Sequence, residues 1–185
     1  MARNVAVIVG SLRKGSFSRK LANALIDLAR PALDMRIVEI GDLQLYNEDM
    51  EAHPTREWIA FRDAVRPVDG VLFVTPEYNR SVPGCLKNAI DVGSRPYGSS
   101  IWSGKPCAVI SNSPGNIGGF GANHHLRQSL VFLDMPVLQQ PEAYIAGSNK
   151  LVSDDGKIAD DTKREFLTKV MQAFAGWIEK IRASQ

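Results

Sequence analysis

The most constraining feature of this sequence is the regular alternation of short apolar runs with segments of helical periodicity. The runs at residues 4–9 and 70–75 are rich in β-branched side chains and contain no charged residue, as is typical of strands buried on both faces. The segments between such runs place apolar residues three and four positions apart, which indicates amphipathic helices. Parallel strands are joined by helical crossovers, so the alternation predicts an α/β fold with helices on both faces of a doubly wound sheet.

Strands and helices are predicted in alternation along the whole chain. The strands fall at residues 4–9, 35–40, 70–75, 106–111 and within 137–145, and the helices at 20–30, 55–65, 84–92, 122–133 and 163–181. The prediction for residues 1–185 is a single domain with a five-stranded, doubly wound parallel sheet. In such sheets ligands lie beyond the carboxyl ends of the strands, and in the flavodoxin-like order 2-1-3-4-5 the crevice lies between the first and the third strand. The loops after strands one, three and four are therefore the candidate site.

Composition and charge argue against several other classes of protein. The 22 basic and 20 acidic side chains are spread along the chain and leave a formal net charge of only +2, so no binding of nucleic acid or anionic lipid is predicted. No apolar run approaches the roughly 20 residues that cross a bilayer, and the amino terminus lacks the features of a secretory signal, so a cytoplasmic protein is expected. Cys85 and Cys107 are too few for a disulfide framework and are predicted to be small buried side chains.

The first candidate loop, residues 10–18, reads GSLRKGSFS and precedes a predicted helix. Its hydroxyl groups, glycines and arginine, together with the free N–H groups of a helix amino terminus, suit a phosphate monoester. The loop lacks the lysine of a P-loop, because Ser16 occupies that position, and Leu12 replaces the second glycine of the dinucleotide fingerprint. A phosphate-binding loop and an ordinary serine-rich helix cap are both compatible with these residues alone.

The second and third candidate loops follow the third and fourth predicted strands. Residues 75–84 are polar and contain two prolines, and they offer Tyr78 as a flat contact for a planar heterocycle. The alternative is a plain turn bracketed by the prolines, in which Glu77 is a solvated capping acid. Residues 111–121 contain four glycines, which either bring the backbone close to a ligand or provide only flexibility. All three loops are expected to converge around one crevice.

Three motifs resemble the NADPH-dependent FMN reductase family, which includes bacterial chromate and quinone reductases. They are GSLRKGSFS at residues 10–18, PEYNRSVPGCLKNAID at residues 76–91, and the pair Gly118-Gly119. The second motif is highly specific, and the resemblance spans almost the whole chain. It implies a flavodoxin-like fold that binds FMN noncovalently. It also implies electron transfer from NADPH or NADH to a small-molecule acceptor such as a quinone, free flavin or chromate, in a homodimer or homotetramer.

The resemblance further implies which residues hold the cofactor. The first loop contributes Ser11, Arg13, Ser16, Phe17 and Ser18, and its serines and arginine would hold the flavin phosphate. The residues that border the isoalloxazine ring are Pro76, Glu77, Tyr78, Asn79 and Arg80, with Ser113 on its far side. Two residues depart from the family pattern. Ser18 stands where many relatives have asparagine, and Arg80 stands where relatives often carry an aromatic residue, so a cation there would favour anionic acceptors.

Two other functions remain open on the sequence alone. A flavodoxin-type electron carrier would use the same flavin but dock on protein partners. Such carriers are usually markedly acidic in that family, and this chain is not. A flavin-dependent sensing subunit would need an output segment, and none is visible. For the enzyme, no side chain is predicted to act as an acid, a base or a nucleophile, because the flavin carries the chemistry.

The histidines and one tryptophan complete the set of candidate residues. His124 and His125 are adjacent on a predicted helix and therefore point about 100° apart, which favours structural or interface roles over metal binding. His53 is expected on an exposed loop. Trp102 either packs locally, which is the favoured interpretation, or lines the mouth of the active site or a subunit contact.

Overall fold

The sheet has the topology that the sequence predicts. A computed structural model describes residues 2–184, and at its centre lies a sheet of five strands in the order 2-1-3-4-5, with every neighbouring pair parallel. The strands are β1 (Arg3–Val9), β2 (Leu33–Ile37), β3 (Gly70–Thr75), β4 (Cys107–Ser113) and β5 (Ala143–Ala146). This is the flavodoxin-like order, so the doubly wound α/β prediction is confirmed.

Helices cover both faces of this sheet. They are α1 (Phe17–Leu28), α2 (Arg56–Val65), α3 (Gly84–Gly93), α4 (Phe120–Phe132) and α5 (Asp161–Arg182), with short 3₁₀ helices at Glu48–Met50 and Ser148–Lys150. Alternate residues of β1 explain why the whole strand is apolar. Val5 and Val7 pack against α1 and α5, whereas Ala6 and Ile8 pack against α2, α3 and α4. Side chains on successive strand positions point to opposite faces, and here both faces are buried.

Several element boundaries differ from the prediction. Helix α1 begins at Phe17 rather than at residue 20, because Ser16 caps it and the polar first turn carries no apolar periodicity. Strand β2 covers Leu33–Ile37 rather than residues 35–40, since it pairs only with β1 and ends where that pairing ends. Strand β4 continues to Ser113 because its last two residues pair with β5. The longer β4 extends the carboxyl end of the sheet, where the candidate loops lie.

Trp102 is a packing residue. Its side chain is fully buried, its Nε1–H donates to the carbonyl of Ile90 at 2.9 Å, and its ring contacts those of Phe61 and Phe73. A methyl group on Gly93 would lie 2.5 Å from this ring, so the helix and the indole are in direct contact. The favoured interpretation of local packing is confirmed.

The two cysteines have different environments. Cys107 is fully buried in β4, as predicted. Cys85 is only half-buried in the first turn of α3, so the prediction that both are buried is wrong for this residue. Partial burial raises the pKa of the Cys85 thiol. Among residues 2–184, no helix is both long and apolar enough to span a membrane.

Candidate active site

The first loop joins the end of β1 to the amino terminus of α1. Gly10 is bonded to the neighbouring strand β3, because its N–H donates to the carbonyl of Val74 at 2.9 Å. Ser16 is 2% exposed and its Oγ accepts the N–H of Arg19 at 3.2 Å, which makes it the N-cap of α1. The helix-cap interpretation is therefore confirmed. It does not compete with phosphate binding, because the capping oxygen keeps its own hydroxyl hydrogen and the remaining N–H groups of the turn stay available.

Arg13 is held over the start of α1. Its guanidinium lies 4.6 Å from the centre of the Phe17 ring, and Nη2 donates to the carbonyl of Gly15 at 2.6 Å. These contacts fix an exposed cation beside the positive end of a helix dipole. Ser11 lies in the same loop and is 5% exposed. The loop therefore brings a cation and buried hydroxyl groups to one helix terminus, which is the donor set that a phosphate monoester requires.

A buried side-chain amide connects the first loop with the two neighbouring strands. Asn112, at the end of β4, donates from Nδ2 to Ser18 Oγ at 2.9 Å and to the carbonyl of Thr75 at 3.3 Å. Asn112 and Ser18 are only 1% and 2% exposed. The hydroxyl of Ser18 thus faces the interior and supports the loop, and its contact with a phosphate stays a prediction. The sequence analysis missed Asn112, although a polar residue directly after a buried apolar strand was the signal.

The second loop is a tight β-hairpin turn. Tyr78 and Ser81 exchange two backbone hydrogen bonds of 3.1 and 3.0 Å, and between them Asn79 and Arg80 have φ values of 51° and 63°. Two central residues with positive φ define a type I′ turn, which asparagine tolerates well and arginine adopts infrequently. The turn presents the Tyr78 ring, 52% exposed, at the edge of the sheet. A flat aromatic surface is therefore available beside the first loop.

Glu77 fixes the second loop to α4. Its side chain is 11% exposed, Oε2 accepts the N–H of Ala122 at 3.0 Å, and Oε1 accepts from Arg80 Nη1 at 3.0 Å. Ala122 is the third residue of α4, so the carboxylate caps the positive end of that helix. The interpretation of Glu77 as a capping acid is right, but the acid is largely buried rather than solvated. Its predicted contact with a flavin ring is a separate matter that these bonds do not test.

The third loop uses glycine for close backbone contact. Gly118 and Gly119 have φ values of 65° and 79°, and a Cβ on Gly118 would lie 2.5 Å from the backbone carbon of Tyr144. A Cβ on Gly119 would lie 3.0 Å from that of Ser111. The glycines are thus required by packing against β4 and β5, and flexibility alone is the wrong interpretation. Ser113 is half-buried, and its Oγ accepts the N–H of Gly115 at 3.1 Å.

The two adjacent histidines serve different contacts. His124 Nε2 lies 2.8 Å from the hydroxyl of Tyr144, and His125 Nδ1 lies 2.7 Å from Ser81 Oγ in the second loop. Burial, together with a hydrogen bond to Glu142, raises the pKa of Tyr144 to about 12. Within residues 2–184 no three histidine, cysteine or acidic side chains are grouped to hold a metal. His53 is exposed, as predicted.

The three loops meet at one edge of the sheet because β1, β3 and β4 are neighbours in it. A hydroxyl-rich helix terminus lies beside an aromatic hairpin and a glycine turn, and Asn112 joins the ends of β3 and β4 to Ser18 in the first turn of α1. The crevice outside the carboxyl ends of parallel strands is where doubly wound sheets bind nucleotides. The strand order and the helices on both faces define a flavodoxin-like protein, and these three loops form its candidate site.

Comparisons with known proteins identify the family. The family model described as NADPH-dependent FMN reductase matches residues 3–150. A quinone reductase from Pseudomonas putida is 65% identical over 181 residues, which cover 97% of each chain. A 2-hydroxy-1,4-benzoquinone reductase from a Burkholderia species is 43% identical over 182 residues, covering 98% of this chain and 100% of the relative. The chain therefore belongs to the NADPH-dependent FMN reductase family and is an FMN-dependent NAD(P)H oxidoreductase.

A solved structure agrees with this assignment. The flavoenzyme NAD(P)H:(acceptor) oxidoreductase from Paracoccus denitrificans superimposes with a TM-score of 0.93 at 43% identity. The alignment covers 97% of this chain and 98% of that one. The whole chain therefore shares the fold of a flavoenzyme at an identity high enough to place both in one family.

Proposed function

We propose that this chain holds FMN in the crevice at the ends of β1, β3 and β4 and passes electrons from NADPH or NADH to quinones. The observation that carries the proposal is the convergence of the three loops, with the amino terminus of α1 and Arg13 at one end and the Tyr78 hairpin at the other. We propose free flavin and small anions such as chromate as further acceptors. The names of the relatives in Pseudomonas putida and Burkholderia support quinones as the main acceptor class.

We assign the residues the roles that the resemblance to the family implies, and the positions of the loops support this assignment. At the phosphate end, Ser11, Arg13 and Ser16 donate to the FMN phosphate, and Phe17 supports the guanidinium. Ser18 acts there through Asn112 and the loop backbone. The residues that border the isoalloxazine ring are Pro76, Glu77, Tyr78, Asn79 and Arg80 on one side and Ser113 on the other.

When bound, FMN would accept hydride from a nicotinamide and deliver electrons to the acceptor. The protein holds the ring, tunes its potential and controls access to it. Glu77 and the helix dipole of α4 fix the hairpin at this edge of the crevice. No side chain of the chain is assigned as an acid, a base or a nucleophile.

An enzyme is favoured over a flavodoxin-type carrier. Carriers of that type dock on protein partners through acidic surfaces, whereas this chain has a formal net charge of +2. Steady-state oxidation of NADPH with a quinone supports the enzyme, and electron passage only to a protein partner supports the carrier. We further propose that the protein is cytoplasmic and assembles as a homodimer or a homotetramer.

The first experiment is a visible spectrum of the purified protein followed by titration with FMN. Arg13→Ala is compared with Lys14→Ala, which removes an exposed cation from the same loop. Hydrogen bonds to charged groups contribute about 1.5 to 3 kcal/mol, so Arg13→Ala raises the Kd for FMN about tenfold or more. Lys14→Ala changes the Kd much less. A wild-type protein that neither contains nor takes up FMN, or equal small effects of both substitutions, would contradict the proposal.

A further inference from the structure

The hairpin of the second loop is bound to helix α4 at both of its ends. At one end, Oε2 of Glu77 accepts the N–H of Ala122 at 3.0 Å. At the other end, Oγ of Ser81 lies 2.7 Å from Nδ1 of His125. Ala122 and His125 are three residues apart, which is about one helical turn, so they are neighbours on the helix surface. The two attachments therefore fix both ends of a five-residue segment to one side of α4.

The turn of this hairpin has a backbone that needs support from outside. Asn79 and Arg80 have φ values of 51° and 63°, and an arginine adopts such a backbone infrequently. A backbone of this kind persists where surrounding contacts hold it. The N–H and the carbonyl of Ser81 are both used within the hairpin, in bonds of 3.0 and 3.1 Å to Tyr78. The hydroxyl of Ser81 is thus the group that ties this end of the hairpin to another element.

The same helix carries the third loop. Helix α4 begins at Phe120, directly after Gly119, and a Cβ on Gly119 would lie 3.0 Å from that of Ser111 in β4. A Cβ on Gly121 would lie 2.9 Å from the carbonyl oxygen of Arg80, so the first turn of α4 also touches the hairpin backbone. The start of α4 is therefore packed against both loops, and its contacts set the distance between them.

We propose that His125 is a positioning residue for the reaction, which acts through Ser81. By holding the far end of the hairpin, His125 fixes the second loop relative to the third and so sets the width of the space between them. This inference rests on the proposed function, in which the isoalloxazine ring and the acceptor occupy that space. A hydroxyl group both donates and accepts, so the bond forms whichever tautomer the imidazole adopts. His125 needs no contact with the flavin and no proton-transfer step.

The first measurement is amide hydrogen exchange at Tyr78, whose N–H donates to the carbonyl of Ser81 and is released when the hairpin opens. The loss of one hydrogen bond changes such an opening equilibrium about two- to tenfold. His125→Ala and Ser81→Ala are each expected to speed exchange by this factor, and the double variant by no more than either, because both remove the same bond. His124→Ala is the matched control: it removes the adjacent imidazole, which is bonded to Tyr144, and leaves exchange at Tyr78 unchanged.

The second measurement is steady-state kinetics of the FMN-loaded protein with a quinone. His125→Ala is expected to raise the KM for the quinone about two- to tenfold with little change in kcat, because binding of the acceptor must then also order the hairpin. The Kd for FMN is expected to change less, since the phosphate loop is untouched. His125→Asn is expected to restore the KM, because its amide offers a hydrogen-bonding group near the position of Nδ1. His124→Ala leaves the KM unchanged.

Unchanged exchange at Tyr78 in the His125→Ala protein, additive effects in the double variant, or an unchanged KM would each overturn the inference. Circular dichroism checks that each variant is folded, and if His125→Ala is unfolded, Ser81→Ala carries the same two tests. The exchange measurement is made with and without FMN. A protein that shows coupled exchange but takes up no FMN refutes the proposed function, whereas one that takes up FMN without coupled exchange refutes this inference alone.

Discussion

The bonds of Glu77 give the sharpest test of how the second loop is held. The substitution is Glu77→Gln, which keeps the shape of the side chain but removes its charge and replaces one acceptor by an NH₂ group. The carboxylate accepts two hydrogen bonds of 3.0 Å, from Ala122 N and from Arg80 Nη1, at 11% exposure. A glutamine oxygen satisfies one of these donors, and its amide group then faces the other.

The expected cost follows from these contacts. A charge at a partly buried helix amino terminus contributes about 0.3 to 2 kcal/mol, and a hydrogen bond to a charged group about 1.5 to 3 kcal/mol. The loss is therefore about 1 to 3 kcal/mol, which lowers the Tm of a protein of this size by about 3 to 10 °C. The matched control is Arg80→Gln, which removes the exposed partner of the same ion pair and costs about 1 kcal/mol or less.

Urea unfolding measures the loss in the free energy of unfolding, and thermal melts measure the fall in Tm. Both are carried out on the two variants with and without FMN. The Glu77→Gln protein is expected to lose clearly more stability than the Arg80→Gln protein in either condition. Equal losses would show that the bond to Ala122 adds nothing, and the argument that this acid anchors the hairpin to α4 would then be wrong.

Three further predictions concern single residues. Gly118→Ala is expected to lower the free energy of unfolding by about 2 to 5 kcal/mol, because the new methyl group meets backbone at 2.5 Å and alanine is strained at positive φ. Gly98→Ala is the control: at φ 79° in open space it adds only the φ cost of about 1 to 2 kcal/mol. Urea titration of the two variants compares these losses. Tyr144 is expected to ionise near pH 12. Since its folded pKa lies above its ordinary value of 10.0, its contribution to stability is present below about pH 10 and is lost as the pH rises through 12. A phenolate titration of the Tyr144→Phe protein is expected to lack the step that the wild type shows near pH 12. Arg80→Gln is expected to lower kcat/KM about fivefold for an anionic quinone at low salt but not for a neutral one, and a change of the same size for both would contradict a charge effect.

Much of the fold could be predicted from the sequence because its determinants are local. The apolar runs of β1 and β3 are buried on both faces, and so they carry no alternation that could be mistaken for an exposed strand. The predicted edge strand β2 starts two residues and ends three residues too late, because only one neighbour fixes its register. The predicted start of α1, at residue 20, was three residues too late because the capping residue, Ser16, lies outside the apolar pattern.

The sequence predicts the three loops of the candidate site but not the hydrogen bonds that connect them. Glu77 and Ala122 are 45 residues apart, and Ser18 and Asn112 are 94 residues apart, so no local pattern shows that they touch. The positive φ of Arg80 was also invisible, because it results from pairing between Tyr78 and Ser81 rather than from a glycine.

The buried amide of Asn112 makes one part of the site depend on two distant segments of the chain. Ser18 and Asn112 are only 2% and 1% exposed, and Asn112 Nδ2 donates to Ser18 Oγ at 2.9 Å. An asparagine at position 18 would bring a second amide into this buried contact, so it would require a different side chain at the end of β4. A chimera that receives a first loop with asparagine at position 18 should fold poorly, and one that also receives a matching end of β4 should recover. The residues that shape this part of the site therefore change together or not at all.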